Sequence, residues 1–210
     1  MIVSCIKNLG DTMKTFAFDL DGTITKVETL PLLAKELGLA DEMKLLTDLT
    51  LSGRIPFEKS FRMRYLILRN IPLRRIQEIM AGVELEEEIA AFIREHKENC
   101  AIVTGNLDCW IAPIIAKLGC RSFSSTSVLD EKNIPVLDKI LDKGAAIRKL
   151  KKVSDKVVAI GESFNDVPMF EEANIAIAYG GVHEPVSAAV ALSDYVISDS
   201  DTLCRLLEIL

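Results

Sequence analysis

Cysteine and histidine are scarce in this chain, and long apolar runs are missing. Its 210 residues include five cysteines and two histidines. Cys5, Cys100, Cys109, Cys120 and Cys204 are odd in number, widely spaced and form no Cys-x-x-Cys pair. That pattern argues against a disulfide framework or a thiolate metal site. No segment approaches the roughly 18 uninterrupted apolar residues that a membrane span needs. Residues 1–15 lack the basic segment and long apolar stretch of a secretory signal. An excess of positive charge is missing too. The net charge is −6, whereas a nucleic-acid binder shows a basic face. These absences predict a cytoplasmic protein in a reducing compartment, with no nucleic-acid or membrane partner. Met13, just before Lys14 and the first strand, is an alternative start that would leave residues 1–12 as a leader.

What is present is a full-sized core. Apolar residues make up 49% of the sequence, enough for one domain or a core domain with a small insert. Thr15–Phe18 is a short apolar run that ends abruptly at acidic residues, as a buried strand does. Four similar runs follow at 100–103, 157–160, 175–178 and 195–197. Helical patterns separate them near 108–118, 142–151, 165–173, 185–192 and 201–209. Such alternation predicts an α/β fold, a doubly wound parallel sheet covered on both faces. Its ligand site would lie at the carboxyl ends of the strands.

Residues 29–85 contain no convincing strand. Thr29 as a capping residue and Pro31 open a helix that Gly38 stops. A second helix fits Asp41–Ser52, a third begins at Pro56, and a fourth starts after Pro72. Phe57, Phe61, Tyr65 and Leu68 form one stripe of the third. This segment reads as a small helical cap domain. Residues 1–28 and 86–210 then form the core domain.

Four polar clusters fall at strand ends. Asp19 and Asp21, two apart on an extended segment, point to the same side, and Gly22 allows a sharp turn after them. One carboxylate can attack a phosphoryl group, while a second protonates the leaving oxygen and then activates water. An anion approaching an anion calls for a hard cation. Thr104, Gly105 and Asn106 offer a hydroxyl and a free N–H to a phosphate oxygen. Lys143, at a helix start, can neutralise nucleophile and phosphoryl group together. Glu162 and Asp166, in a strand-to-helix loop, can bind Mg²⁺ with few protein ligands.

Taken singly each cluster is also an ordinary turn, cap or solvated charge; their order is what is specific. Across nearly its whole length the chain resembles the haloacid dehalogenase-like phosphotransferases. Asp19-Leu-Asp-Gly-Thr23, Thr104, Lys143 and Gly161-to-Asp166 match that family's four motifs in sequence. The resemblance implies Asp19 as nucleophile, Asp21 as general acid/base, and Thr104 and Lys143 as phosphate binders. It also implies Mg²⁺ held by Asp19, the backbone carbonyl of Asp21, Glu162 and Asp166. Motif four usually begins Gly-Asp, so Glu162 adds a methylene that the metal or the chain has to accommodate. Asn106 replaces a usual Gly. The Ser-rich stretch Ser122–Ser127 stands where a longer hairpin region is expected.

Within that family the cap looks most like that of phosphoserine phosphatases. Glu28 lies where those enzymes place a carboxylate near the substrate amine, and Phe57 and Arg64 match a Phe followed by an Arg seven residues later. The resemblance implies that Arg64 grips the substrate carboxylate, as a planar fork of donors can. Glu28, Phe57, Arg64, Gly105, Asn106 and Asn165 are thus the expected substrate contacts. The expected partner is a small phosphorylated metabolite, with O-phosphoserine the best single choice. A sugar or thio-sugar phosphate, or a phosphate-binding module without turnover, are the alternatives. His96 is assigned to a helix end, and Cys109 and Trp110 to helix packing. His183 falls on the site's side of the sheet but is not counted among its contacts.

Overall fold

The computed structural model describes residues 13–132 and 134–210. The possible leader at residues 1–12 and Cys5 lie outside them. Seven strands form one sheet: β1 (Lys14–Phe18), β2 (Cys100–Leu107), β3 (Arg121–Leu129), β4 (Pro135–Lys139), β5 (Lys156–Gly161), β6 (Ile175–Tyr179) and β7 (Tyr195–Ile197). Their order is β4-β3-β2-β1-β5-β6-β7. All neighbours are parallel except β3 and β4. The chain winds outward from β1 in both directions, which leaves a crevice at the carboxyl ends of β1, β2 and β5.

The side-chain period of two sorts β1 between two cores. Phe16 and Phe18 face one core, shared with Ile102, Ile160 and helices α5 (Glu87–Glu95), α6 (Asp108–Leu118) and α10 (Ser200–Ile209). Ala17 faces the other, with Val103, Ala159 and helices α7 (Lys143–Leu150), α8 (Val167–Glu172) and α9 (Ser187–Leu192). Small residues on that second face, including Ala101, Ala176 and Ala178, let those helices sit close to the sheet.

Two features of the sheet differ from the sequence reading. The stretch 121–139 is an antiparallel strand pair, with Leu129 opposite Pro135 and Thr126 opposite Lys139. Its serines hide the strand signal because β3 has little apolar alternation: only Ser125 is fully buried, and its hydroxyl donates to the Gly105 carbonyl at 2.7 Å. Second, β2 runs through Thr104 to Leu107 instead of ending at Val103, with a register shift against β3 between Val103 and Leu107.

Between β1 and α5 stand four α-helices, α1 (Thr29–Ala34), α2 (Ala40–Leu51), α3 (Phe57–Leu68) and α4 (Leu73–Ala81), with a 3-10 turn at Lys35–Leu37. Gly38 and Gly53 turn the chain in the left-handed region, at φ 68° and 74°, where a Cβ is costly. Thr29 is not a cap: it is the first helical residue, and Glu28 precedes it without a side-chain capping bond. Trp110 of α6 stacks on Tyr65 of α3 with centroids 6.0 Å apart, and Gln77 Nε2 donates to the Cys109 carbonyl at 2.9 Å. Both α6 residues serve helix packing, as the sequence suggests.

Candidate active site

Asp19 is the first residue beyond β1. Its N–H donates to the Ile160 carbonyl of β5 at 2.9 Å, so the neighbouring strand fixes where its side chain emerges. Gly22, at φ 78°, then reverses the chain, and the N–H groups of Ile24 and Thr25 return to the Leu20 carbonyl. Asp21 is thereby brought beside Asp19.

Three buried carboxylates converge here. One oxygen each from Asp19, Glu162 and Asp166 lies within 4.8 Å of the others. Lys143, the first residue of α7, reaches into this cluster. Its Nζ bonds Asp19 Oδ1 and donates to Asp166 Oδ1 at 2.6 Å. Asp166 Oδ2 accepts from Glu162 N–H at 3.0 Å and from the N–H and hydroxyl of Ser163 at 2.8 Å. Both oxygens of Asp166 are therefore engaged. Glu162 Oε2 accepts from the Thr23 hydroxyl at 2.6 Å, but its buried Oε1 has no hydrogen-bond partner.

Three acids facing one lysine leave an excess of negative charge in a dry pocket. Burial, and then the Asp166 carboxylate, hold the Asp19 carboxyl well above its ordinary pKa despite Lys143. Burial, Asp166 and Asp19 do the same to Glu162. Burial alone would lower the Lys143 pKa, but Asp166 and Asp19 more than offset it, and its ammonium is held above the usual range. These three carboxylates could hold a divalent cation, which would offset the excess.

Asp21 is held differently. Its Oδ1 accepts from Thr29 N–H at 3.0 Å and from the Thr29 hydroxyl. Asn106 Nδ2 lies 3.3 Å from Asp21 Oδ2 and 2.8 Å from the Thr29 hydroxyl. The Thr104 hydroxyl accepts from Asn106 N–H at 3.1 Å, so Thr104 and Asn106 form one small platform at the end of β2.

The helical insert closes over this platform. Asp19, Asp21, Glu28, Arg64, Thr104, Gly105, Asn106 and Asn165 line one cavity of about 40 Å³. Arg64 is 4% exposed. Its Nη1 donates to Thr47 at 3.3 Å, and its Nε has no partner. Burial, against the pull of Glu28 and Asp21, lowers its pKa to about 10, so the guanidinium stays charged at neutral pH. Glu28 Oε1 is also buried without a hydrogen bond. Phe57 does not line the cavity. Its ring carries the Arg64 guanidinium at 5.8 Å and lies so close to Gly105 that a Cβ there would stand 2.0 Å from Cζ.

The haloacid dehalogenase-like hydrolase family profile matches residues 16–171. The chain belongs to that family. It is 28% identical to a phosphoserine phosphatase of Methanocaldococcus jannaschii over 179 residues, 79% of this chain and 85% of the relative. It is 25% identical to a phosphoserine phosphatase of Halobacterium salinarum over 210 residues, 93% of this chain and 98% of the relative. A solved phospho-aspartyl intermediate analogue of phosphoserine phosphatase superposes with a TM-score of 0.78 at 25% identity, covering 95% of this chain and all of that one.

This haloacid dehalogenase-like hydrolase thus brings the sequence-predicted residues to one crevice, with Phe57 packed behind its wall against Gly105 and Arg64. Sequence reasoning missed Thr23, Thr29, Thr47 and Ser163, which orient Glu162, Asp21, Arg64 and Asp166. Hydroxyls at turns and helix starts are too common to stand out, and only the fold shows their targets. The approach of Phe57 to Gly105 gives one prediction. Gly105→Ala pushes the ring off the β2 backbone and keeps the insert from seating. Turnover is expected to fall about 10- to 100-fold, the scale of a small misplacement at a reacting centre, with the far-ultraviolet circular dichroism unchanged. Unaltered turnover would show that the ring yields freely.

Proposed function

We propose that this hydrolase is a Mg²⁺-dependent phosphomonoesterase that works through an aspartyl-phosphate on Asp19, with O-phosphoserine as substrate and helices α1–α4 as a cap domain over a core of residues 1–28 and 86–210. The observation that carries the substrate is a pair of buried groups short of partners: Arg64 Nε has none, and Glu28 Oε1 has only the His183 ring 3.5 Å away. Glu28 Oε1 and Arg64 Nε are buried, opposite in charge, without hydrogen-bond partners, and on the wall of the cavity that Asp19 lines. Buried polar atoms left unpaired cost about 1–3 kcal/mol each. An amino acid's ammonium and carboxylate would satisfy both.

The metal site fits the residues present. Glu162 Oε1 is buried and unpartnered, and the three carboxylates outnumber Lys143. Asp19, Glu162, Asp166 and the Asp21 carbonyl would hold Mg²⁺, with Asp19 and Glu162 offering the freer side-chain oxygens. When bound, the cation offsets the charge between these carboxylates and the phosphate. The chain's own residues do the rest. Asp19 attacks phosphorus, the phosphorus–oxygen ester bond breaks, and Asp21 gives the leaving oxygen a proton. Asp21 then takes a proton from water, which attacks the aspartyl-phosphate and frees phosphate and Asp19. Lys143 holds the Asp19 carboxylate throughout, and the platform of Thr104 and Asn106 binds the phosphoryl oxygens.

No helix among the described residues is long and apolar enough to cross a membrane. Cys100, Cys109, Cys120 and Cys204 are all free, which supports placement in a reducing cytoplasm.

Arg64→Ala tests the substrate. The Michaelis constant for O-phosphoserine is expected to rise about 10- to 100-fold, as loss of charged hydrogen bonds predicts. For an ester without a carboxylate it should scarcely move. Equal effects on both would return Arg64 to a packing role and favour a sugar or thio-sugar phosphate.

A further inference from the structure

Glu28 lines two cavities. One is the small chamber of about 40 Å³ above Asp19. The other is an outer cavity of about 380 Å³, lined also by Val27, Pro31, Leu32, Lys35 and His183. The wall between them is therefore thin, and Glu28 is part of it. His183 Nε2 stands 3.5 Å from Glu28 Oε1, an ion-pair distance without a hydrogen bond. Gly22 marks where the wall meets the floor. A Cβ on Gly22 would lie 2.9 Å from Glu162 Oε1, 3.1 Å from His183 Cδ2 and 3.2 Å from Glu28 Oε1. The loop that carries His183 is fixed to the metal-side loop, because Val186 N–H donates to the Glu162 carbonyl at 2.9 Å.

We propose that His183 sets the size of the leaving group: standing behind Glu28, it completes the wall that confines the substrate to the inner chamber and shuts it out of the outer cavity. The inner chamber has room for only a short group beyond the phosphate. The outer one could take a longer, largely apolar tail against Val27, Pro31 and Leu32. His183 touches no reacting atom, so its role is selection by shape. The inference rests on the phosphatase reading of the site and holds whichever short ester is the substrate.

The test is a ladder of alkyl phosphates from ethyl to octyl, with Mg²⁺ and with O-phosphoserine run alongside. In the wild type kcat/KM should fall sharply once the chain outgrows the chamber. His183→Ala should raise kcat/KM for the long esters by about 10-fold or more, chiefly through KM, and leave the short ones near their original values. His183→Gln, which keeps bulk and a donor, should retain the cut-off. A cut-off that stays in place in His183→Ala, a wild type that accepts every length, or parallel losses on all esters would overturn the proposal. Failure of O-phosphoserine alone would overturn that choice of substrate, with the ladder still deciding the wall.

Discussion

Asp19→Asn is expected to reduce phosphate release by at least about 10³-fold, the scale seen when a covalent nucleophile is removed. The substitution is nearly isosteric. The amide oxygen can still accept from Lys143, but an amide does not form the phosphoryl bond. The protein should nonetheless fold at least as well as the wild type. Burial and Asp166 already disfavour the Asp19 charge, so removing it relieves repulsion in a site built for chemistry and not for stability. Rates on O-phosphoserine and on an aryl phosphate, together with a thermal melt, check both halves. Turnover within about tenfold of the wild type would remove Asp19 from the mechanism.

The second large effect concerns the metal. In the metal-free protein Asp19 and Glu162 have raised pKa values, so the folded state keeps protons that the unfolded state releases. Unfolded carboxyls titrate near pH 4. Metal-free stability should therefore fall as pH rises from about 4 toward the raised folded values. Mg²⁺ should reverse that loss. At a hundredfold excess over the dissociation constant, binding contributes about 2.7 kcal/mol, a rise of about 5–10 °C in melting temperature for a chain of this size. Glu162→Gln removes a buried charge and a metal-facing oxygen together. It should melt higher than the wild type without metal and gain less from Mg²⁺. An equal Mg²⁺ shift in the two proteins would exclude Glu162 from the site.

The strands that build the site were legible because they are nearly pure apolar runs cut off by acidic residues. β1 and β5 show this most clearly: every residue of 157–160 is fully buried. The clustered carboxylates were legible for the same reason, since charge at the end of a buried strand is conspicuous. The β3–β4 pair was not, because one of its faces is polar and its serines follow no period. The hydroxyl of Thr23 was hidden by distance. Thr23 meets Glu162 across 139 positions of chain, and no local pattern encodes such a contact. Phe57 is expected as a substrate contact, and its ring packs on the Gly105 backbone beneath the Arg64 guanidinium. Spacing places a ring on a helix face but does not say which backbone it rests upon.

The helical insert is fastened unevenly. On the side of α4 it is bolted to α6 by the Gln77 hydrogen bond and the Tyr65–Trp110 stack. On the side of α2 it only leans on the core, where the Phe164 ring comes so near Gly53 that a Cβ there would lie 2.7 Å from its Cγ. Among the described residues no side-chain hydrogen bond joins α2 to the sheet domain. Fastened in this way, the insert would lift at its α2 edge and pivot at α4. Arg64 and Thr47, hydrogen-bonded to each other at 3.3 Å, both belong to the insert, so a substrate held by Arg64 at one end and by Asp19 at the other would tie that edge to the core. The recognition step and the closing step would then be one event, and water would be excluded only when the right occupant is inside.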